Sequence, residues 1–569
     1  MPPPSVPVYR RLLALCVLTL SAGALRAQAQ PTGPNPTRAY DVRAFGATGD
    51  GTTLDTDAIN RTIATAAAEG GGTVEFPPGT YLSFSIRLKS HVWLHLSPGS
   101  VIVAAKEAPG FGHYDEAEPN RSGGSGIGGS FHNALIWGDG LVDIAITGPG
   151  VIYGKGLPRQ NGGDAHEFPG PVVSLAPNLP ASVGETLPGR GGNKSIGLVN
   201  CRNVLLRDIW IRQGGWSAMD ALGVDNFTIE NVKVDTNRDG FDIDCCRNVR
   251  IADCSVNALN DDGICLKSPD SLGTPIRGCE NITITGCQVT GYDTGTFFDG
   301  TYGQTQPLAP DRDGPTGRIK FGTGSAGGFK NITISNCVFD RCRGLALEAV
   351  DGGTIENITI TNIAMRHVSN AAIFLRIGNR GNGAPGRPVG TIHGVSISHI
   401  VATDVDGRFP IIIAGLPGHP VEDVRISDVR IVSRGGLSLD DAARQPADLI
   451  NPFFLRGPTA RDPRDPYSPP EQEKAYPEPS MFGVLPAWGL YVRHAKDLAF
   501  RDIKFSLEKE DTRPVIVLDD VAGAEFKNVK VQRAGGAPFF VLRKVTDFSV
   551  GDSSSVPDRQ LAHAEQESL

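Results

Sequence analysis

The residues of this chain best suited to chemistry are three aspartates. Asp239 lies in Asn237-Arg238-Asp239-Gly240, and Asp261 and Asp262 are neighbours in Asn260-Asp261-Asp262-Gly263. Carboxylates gathered within a few ångströms cannot all ionise freely, so at least one keeps its proton after the others have lost theirs. That is the minimum equipment for general acid–base catalysis, with one carboxyl to give a proton and one carboxylate to take it. The same residues also fit an Asp-rich turn or a calcium-binding loop. Basic residues accompany them: Arg238 inside the first motif, Lys267 alternating with Asp261, Gly263 and Cys265, and the pair Arg318 and Lys320 in Arg318-Ile319-Lys320.

The elements that must gather these residues form a repeat. The phrase Asn-x-x-Ile-x-x-Cys starts at Asn248, Asn281 and Asn331, with variants from Asn203, Asn226, Asn357, Gly394 and Asp423. The starts are 23, 22, 33, 50, 26, 37 and 29 residues apart. Apolar and polar residues alternate within each unit, which is the period of a strand. One strand recurring at such a period predicts a solenoid of stacked coils. The position thirteen residues after each start then forms a column holding Trp216, Asp239 and Asp261, and it reaches Thr294 and Gly344 in the next two coils. The position six residues after each start holds Ile209, Val232, Cys254, Cys287, Cys337, Ile363, Ile400 and Val429. A position that accepts Ile, Val and Cys alike is a core position. No Cys-x-x-Cys spacing points to a metal site.

A length of 569 residues does not require several cores, because solenoids lengthen by adding coils. With 20% charged and 40% hydrophobic residues the chain is folded, and its 70 glycines and 42 prolines fit frequent turns. A net charge of −8 excludes non-specific nucleic-acid binding and means that an anionic ligand needs a local basic cluster. Residues 1–29 read as an export signal: Arg10 and Arg11, an apolar run from Leu12 to Leu25 too short to span a bilayer, and Ala27-Gln28-Ala29. The mature chain is expected to be secreted or periplasmic, without a membrane segment. Residues 30–112 read as an N-terminal cap and first coils. There Asp55 or Thr56 starts a helix with Ile59, Ile63 and Ala66 or Ala67 on one face, ending at Gly70-Gly71-Gly72. Residues 113–551 carry the coils, with loop excursions at 155–195 and 436–487, and 552–569 read as a loose polar tail.

Residues 40–82 resemble the N-terminal cap of the pectate-lyase-like superfamily of right-handed parallel β-helices. NALIWGDGLVDIAITGPGVIYGKG, from Asn133, resembles the first coils of family 28 glycoside hydrolases, the polygalacturonases. RQGGWSAMDALGVDNFTIENVKVDTNRDGFDIDCCRNVRI is similar to that family's run into its NTDG motif, and NDDGICLKS to its paired-aspartate motif. The resemblance implies an all-β fold: a right-handed parallel β-helix with a short N-terminal capping helix and long loop insertions. It implies that Asp261 is the general acid and that Asp239 and Asp262 hold and activate water. Hydrolysis would be inverting, with acid and base roughly 6.5–9.5 Å apart, and would need no cofactor or metal.

Two family motifs are altered. Where the family has GHG, the column places Thr294, in Asp293-Thr294-Gly295. The family's RIK string is present at 318–320, yet coil counting puts Ala346-Leu347-Glu348 at its place. An insertion after Gly295 reconciles the two, with GRIKFGT completing the GHG coil. In the family such basic residues hold a uronate carboxylate, so Asn237, Arg238, Lys267, Arg318 and Lys320 are the expected substrate-binding set. A solvated strand-edge pair is the plainer reading of Arg318 and Lys320. Trp216 is a candidate stacking platform for a sugar ring, or a packing residue. The resemblance thus implies a glycoside hydrolase of pectic polysaccharides or oligosaccharides. The altered motifs point to an exo-acting or rhamnogalacturonan-directed enzyme, the excursions at 155–195 and 436–487 favour exo action by walling off one end of a cleft, and the chain is expected to be a monomer. A polysaccharide lyase and a non-catalytic carbohydrate-binding β-helix are the alternatives.

Overall fold

The computed structural model describes residue 1 and residues 38–108, 110–118, 130–157, 193–309, 312–382, 386–455, 465–532 and 536–569. The export signal read in 1–29 and most of the 155–195 excursion lie outside the described residues. No described helix is long and apolar enough to cross a membrane.

The N-terminal cap is a helix, Thr56–Ala68, that buries Ala58, Ile59, Ile63 and Ala66 against the first coils. Asp55 stands at its N-cap, but its carboxylate accepts instead from the backbone N–H groups of Thr48 and Gly49, at 2.7 and 3.1 Å. The stack follows. One coil is Arg202–Arg207, Trp210–Arg212 and Ser217–Leu222, the next Asp225–Glu230, Lys233–Thr236 and Asp239–Asp244. A third is Arg247–Ala252, Ser255–Ala258 and Ile264–Ser268. Each strand pairs in parallel with its counterpart one coil on, so Val204, Phe227, Val249, Ile282 and Ile332 stand in a single file.

Side-chain columns follow from that pairing. Ile209, Val232, Cys254, Cys287, Cys337, Ile363, Ile400 and Val429 are all buried in one core. The nine described cysteines are all buried free thiols. On the outside, Asn226, Asn248, Asn281, Asn331 and Asn357 each donate a side-chain N–H to the amide oxygen of the Asn one coil before, at 3.0–3.2 Å. Each sits at a positive φ near 55°, a conformation that Asn tolerates and most residues do not.

One register differs from the repeat count. Ser217 stands opposite Asp239, and Phe241 opposite Ile264, which sets Asp239 level with Asp262 and Arg238 level with both Trp216 and Asp261. The cause is a turn one residue shorter in the Asp239 coil. Five positions lead from Val234 to Asp239, but six lead from Ile211 to Ser217 and from Val256 to Asp262.

Two segments read as loops have more structure than expected. Within 436–487, Ser438 caps a short helix, Leu439–Arg444, and Pro479–Phe482 forms a 3-10 turn. Phe454, Met481, Phe482 and Leu485 pack on Phe374, Ile412 and Tyr491 of the stack. The tail is polar but not loose: Arg559–Ser568 pairs antiparallel with Phe540–Gly551 and covers the last strand edge. Its sequence hides this because only Ala564 of the strand is buried.

The asparagine file makes a prediction for stability. Asn248→Ala loses two amide hydrogen bonds and strains a left-handed residue, whereas Asn248→Gly loses only the bonds. The Ala variant is expected to be the less stable by about 1 kcal/mol. Urea midpoints of the two variants check this; equal midpoints would remove the backbone contribution.

Candidate active site

Asp239 opens the strand Asp239–Asp244, immediately after the shortened turn. Asp261 and Asp262 lie in the turn before Ile264–Ser268, so strand alternation does not send them to opposite faces. One carboxylate oxygen from each of the three aspartates lies within 4.8 Å of the others. The glycines after them serve close approach of coils: a Cβ on Gly240 would stand 2.3 Å from the Gly263 carbonyl oxygen, and one on Gly263 would stand 2.9 Å from that of Gly317. Gly263 does so without a left-handed φ.

Five cations touch the three acids. Arg238 Nη1 and Arg312 Nη2 both donate to Asp261 Oδ2, at 2.8 and 2.7 Å. Arg318 Nε donates to Asp262 Oδ1 at 2.8 Å, and Lys320 Nζ is 3.4 Å from Asp262 Oδ2. Lys267 Nζ is 3.8 Å from Asp239 and bonds to Asp242. Behind them, Glu478 grips Arg318 and also pairs with Arg343 at 2.8 Å. Lys320 donates to the Tyr476 hydroxyl at 3.1 Å and is 3.6 Å from Glu348.

This arrangement divides the acids. Burial pushes the Asp239 carboxyl well above the usual range, and Asp242 and Asp261 push it further. Burial acts on Asp261 too, but Arg312 and Arg238 outweigh it and hold that carboxyl down. Lys320 and Arg318 do the same for Asp262. Burial and its neighbours thus favour Asp239 as the carboxyl that holds a proton, whereas the family resemblance makes Asp261 the acid. The close approach also differs from the spacing anticipated for an inverting pair. Cations already engage Asp261 Oδ2 and both oxygens of Asp262, whereas Asp261 Oδ1 accepts only the Asp262 backbone N–H.

The structure brings Asn237, Arg238, Lys267, Arg318, Lys320 and Trp216 around the acids, but not all toward a ligand. Trp216 is nearly buried and lies under the Arg238 guanidinium, 4.6 Å from ring centre to carbon, so it packs a basic residue. Arg318 and Lys320 are 2% and 1% exposed. Their charges face Asp262, Glu478 and Glu348, so they are neither a solvated edge nor a clamp open to a uronate. The coil reading of the insertion holds: Ile319–Ser325 pairs with Ile264–Ser268 and completes the coil begun at Cys279–Thr285. Thr294 is not in the column. It lies in the long turn between Gln288–Thr290 and Ile319–Ser325, 3.4 Å from Asn237 Nδ2, while the Gly317 N–H donates to the Asp261 carbonyl one coil below. Sequence reasoning missed Arg312, Tyr476 and Glu478, which sit on excursions that no periodicity reaches.

Comparison with known proteins agrees with this architecture. Residues 39–134 match the family model "Rhamnogalacturonase A/epimerase, pectate lyase-like", and residues 190–306 match "Right handed beta helix region". A probable polygalacturonase of Vitis vinifera is 27% identical over 240 residues, 39% of this chain and 43% of that protein. An exo-poly-alpha-D-galacturonosidase of Dickeya chrysanthemi is 30% identical over 128 residues, 22% of this chain and 20% of that protein. The chain thus spans less than half the length of these curated relatives. Among solved structures, a hyperthermoactive exopolygalacturonase from Thermotoga maritima superposes with TM-score 0.54 at 23% identity, covering 70% of this chain and 88% of that one. A family 28 exopolygalacturonase from Yersinia enterocolitica gives TM-score 0.56 at 18% identity, covering 88% and 79%. Structural likeness at that level of identity speaks for the fold. The fold is a right-handed parallel β-helix. Part of the N-terminal region is similar to the pectate-lyase-like family model, and part of the chain is similar to polygalacturonases.

The buried acid network has a pH signature. Burial pushes Glu348 up to about 8 from an ordinary 4.5, so across that interval the folded protein keeps a proton that the unfolded chain releases. The folded state then binds more protons, and the contribution of Glu348 to stability falls as pH rises from 4.5 toward 8. Glu348→Gln is expected to flatten that decline, read as urea midpoint against pH. An unaltered slope would place the proton elsewhere.

Proposed function

We propose that the protein is a glycoside hydrolase that cleaves pectic polysaccharides or oligosaccharides, with Asp239, Asp261 and Asp262 as one acid–base set. The observation that carries this reading is the convergence of three carboxylates from two adjacent coils within 4.8 Å, with separate cations on Asp261 and Asp262 and burial favouring a proton on Asp239. Protonating a glycosidic oxygen while an ionised carboxylate orients water requires that division of labour. The geometry favours Asp239 as proton donor, with Asp261 and Asp262 holding the water. For Asp261 to take the proton, Arg238 and Arg312 must first leave it.

Inversion rests on the family resemblance, because carboxylates this close do not by themselves indicate it. Exo action rests on the 436–487 excursion. Its Met481 and Phe482 lie over Phe374, Ile412 and Tyr491 and cover the floor on the C-terminal side of the acids. A polymer would then enter from one side only and be trimmed from its end. Export rests on the N-terminal sequence features alone.

The test is a panel of defined pectic oligosaccharides, with product anomers followed by NMR and product lengths by chromatography. A single inverted anomer and one short product from the earliest times are expected. Unsaturated products absorbing in the ultraviolet would instead identify a lyase, and a random early mix of lengths would overturn exo action. Asn at 239, 261 or 262 should each lower kcat by about a hundred- to ten-thousandfold. Asp239→Asn should recover most strongly on substrates with activated aryl leaving groups, which need no proton. If Asp261→Asn recovers instead, Asp261 is the donor.

A further inference from the structure

We infer that the sugar unit seated against Arg318 and Lys320 is uncharged, and that Glu478 is the residue that determines this. The inference rests on the hydrolase reading above and concerns which sugar its site accepts. A guanidinium recognises a carboxylate through a fork of parallel N–H groups. In Arg318 that fork is already filled: Nη1 donates to Glu478 Oε2 at 3.2 Å, Nη2 donates to Glu478 Oε1, and Nε donates to Asp262 at 2.8 Å. Glu478 thus stands where the carboxylate of a bound uronate would stand.

Glu478 is not a loosely placed surface residue. It is 1% exposed and immediately precedes the Pro479–Phe482 turn, whose Met481 N–H donates to the Glu478 carbonyl. Arg343 Nη1, at 2.8 Å, and Asn370 Nδ2, at 3.3 Å, hold the carboxylate from the other side. Lys320 is closed in the same way, with its ammonium on Asp262, Glu348 and the Tyr476 hydroxyl and 5.0 Å from the centre of the Tyr476 ring. A uronate could reach Arg318 only by displacing Glu478 and stranding a buried charge, a penalty of about a hundredfold or more in affinity. An uncharged sugar makes no such demand.

The experiment compares nitrophenyl α-galacturonide with uncharged α-galactoside and α-rhamnoside on the full-length protein. Wild type is expected to show a kcat/KM at least about tenfold higher for an uncharged glycoside than for the galacturonide. Glu478→Gln, which releases part of the Arg318 fork, should narrow that ratio by about tenfold, chiefly by raising galacturonide turnover. Wild-type preference for the galacturonide, or an unmoved ratio in a folded Glu478→Gln variant, would overturn the inference. Should that variant fail to fold, calorimetric binding of galacturonate, galactose and rhamnose to wild type decides the matter. Tighter binding of a neutral sugar supports the inference, and tighter binding of galacturonate overturns it. Absence of turnover on every glycoside and oligosaccharide would sink the hydrolase reading, while the binding order would still decide this one.

Discussion

Backbone hydrogen bonds lock each coil of a parallel β-helix to the next, so a residue gained or lost in a turn cannot be spread along the chain. In a tight turn, which has no room to loop outward, it slides the strand that follows. The turn before Asp239 is one residue short, and that single deletion sets which groups meet. It places Arg238 between Trp216 and Asp261, and it brings Asp239 level with Asp262. With a turn of ordinary length, Asp239 would be level with Asp261, and Arg238 would be one place from its present partner. The division of the acids into one protonated and two ionised groups thus begins as a matter of chain length.

Charge explains how such a cluster is tolerated. Three carboxylates in a nearly dry site are unstable unless each is either neutralised or protonated. Asp261 and Asp262 are neutralised by arginines and a lysine arriving from three different segments, and burial favours the protonated form of Asp239, whose nearest cation is the more distant Lys267. The cations are in turn too many and too buried to stand alone, which is why Glu478 lies behind them. Each charge in the set is present because another one is.

How much of this could be read from the sequence follows from the same geometry. The cap helix, the strand file, the cysteine core column and the three acids all sit on periodic positions, and periodicity carries them from sequence to space. The slip at Asp239 was missed because counting from each Asn assumes turns of equal length. Arg312, Tyr476 and Glu478 were missed because they lie on excursions, where nothing local says which side chain turns back toward the stack. The tail was misread for another reason. A strand that covers an edge and buries only Ala564 has no apolar pattern to betray it.

Columns and excursions therefore contribute differently to the site. A column offers one side chain per coil at the strand spacing of about 4.8 Å, which suits reacting carboxylates that must stay fixed relative to one another. It cannot supply a group from above, or close one end of a cleft. The insertion carrying Arg312 and the excursion carrying Tyr476 and Glu478 do both, and they do so without altering the register of the strands beneath. Substituting residues on those two segments would change the charges around the aspartates while the aspartates keep their places. The altered motif at 346–348 is the periodic side of the same rearrangement. On the reading proposed above, with Glu478 filling the Arg318 fork and Glu348 behind Lys320, a second basic strand there would have no anionic ligand to hold.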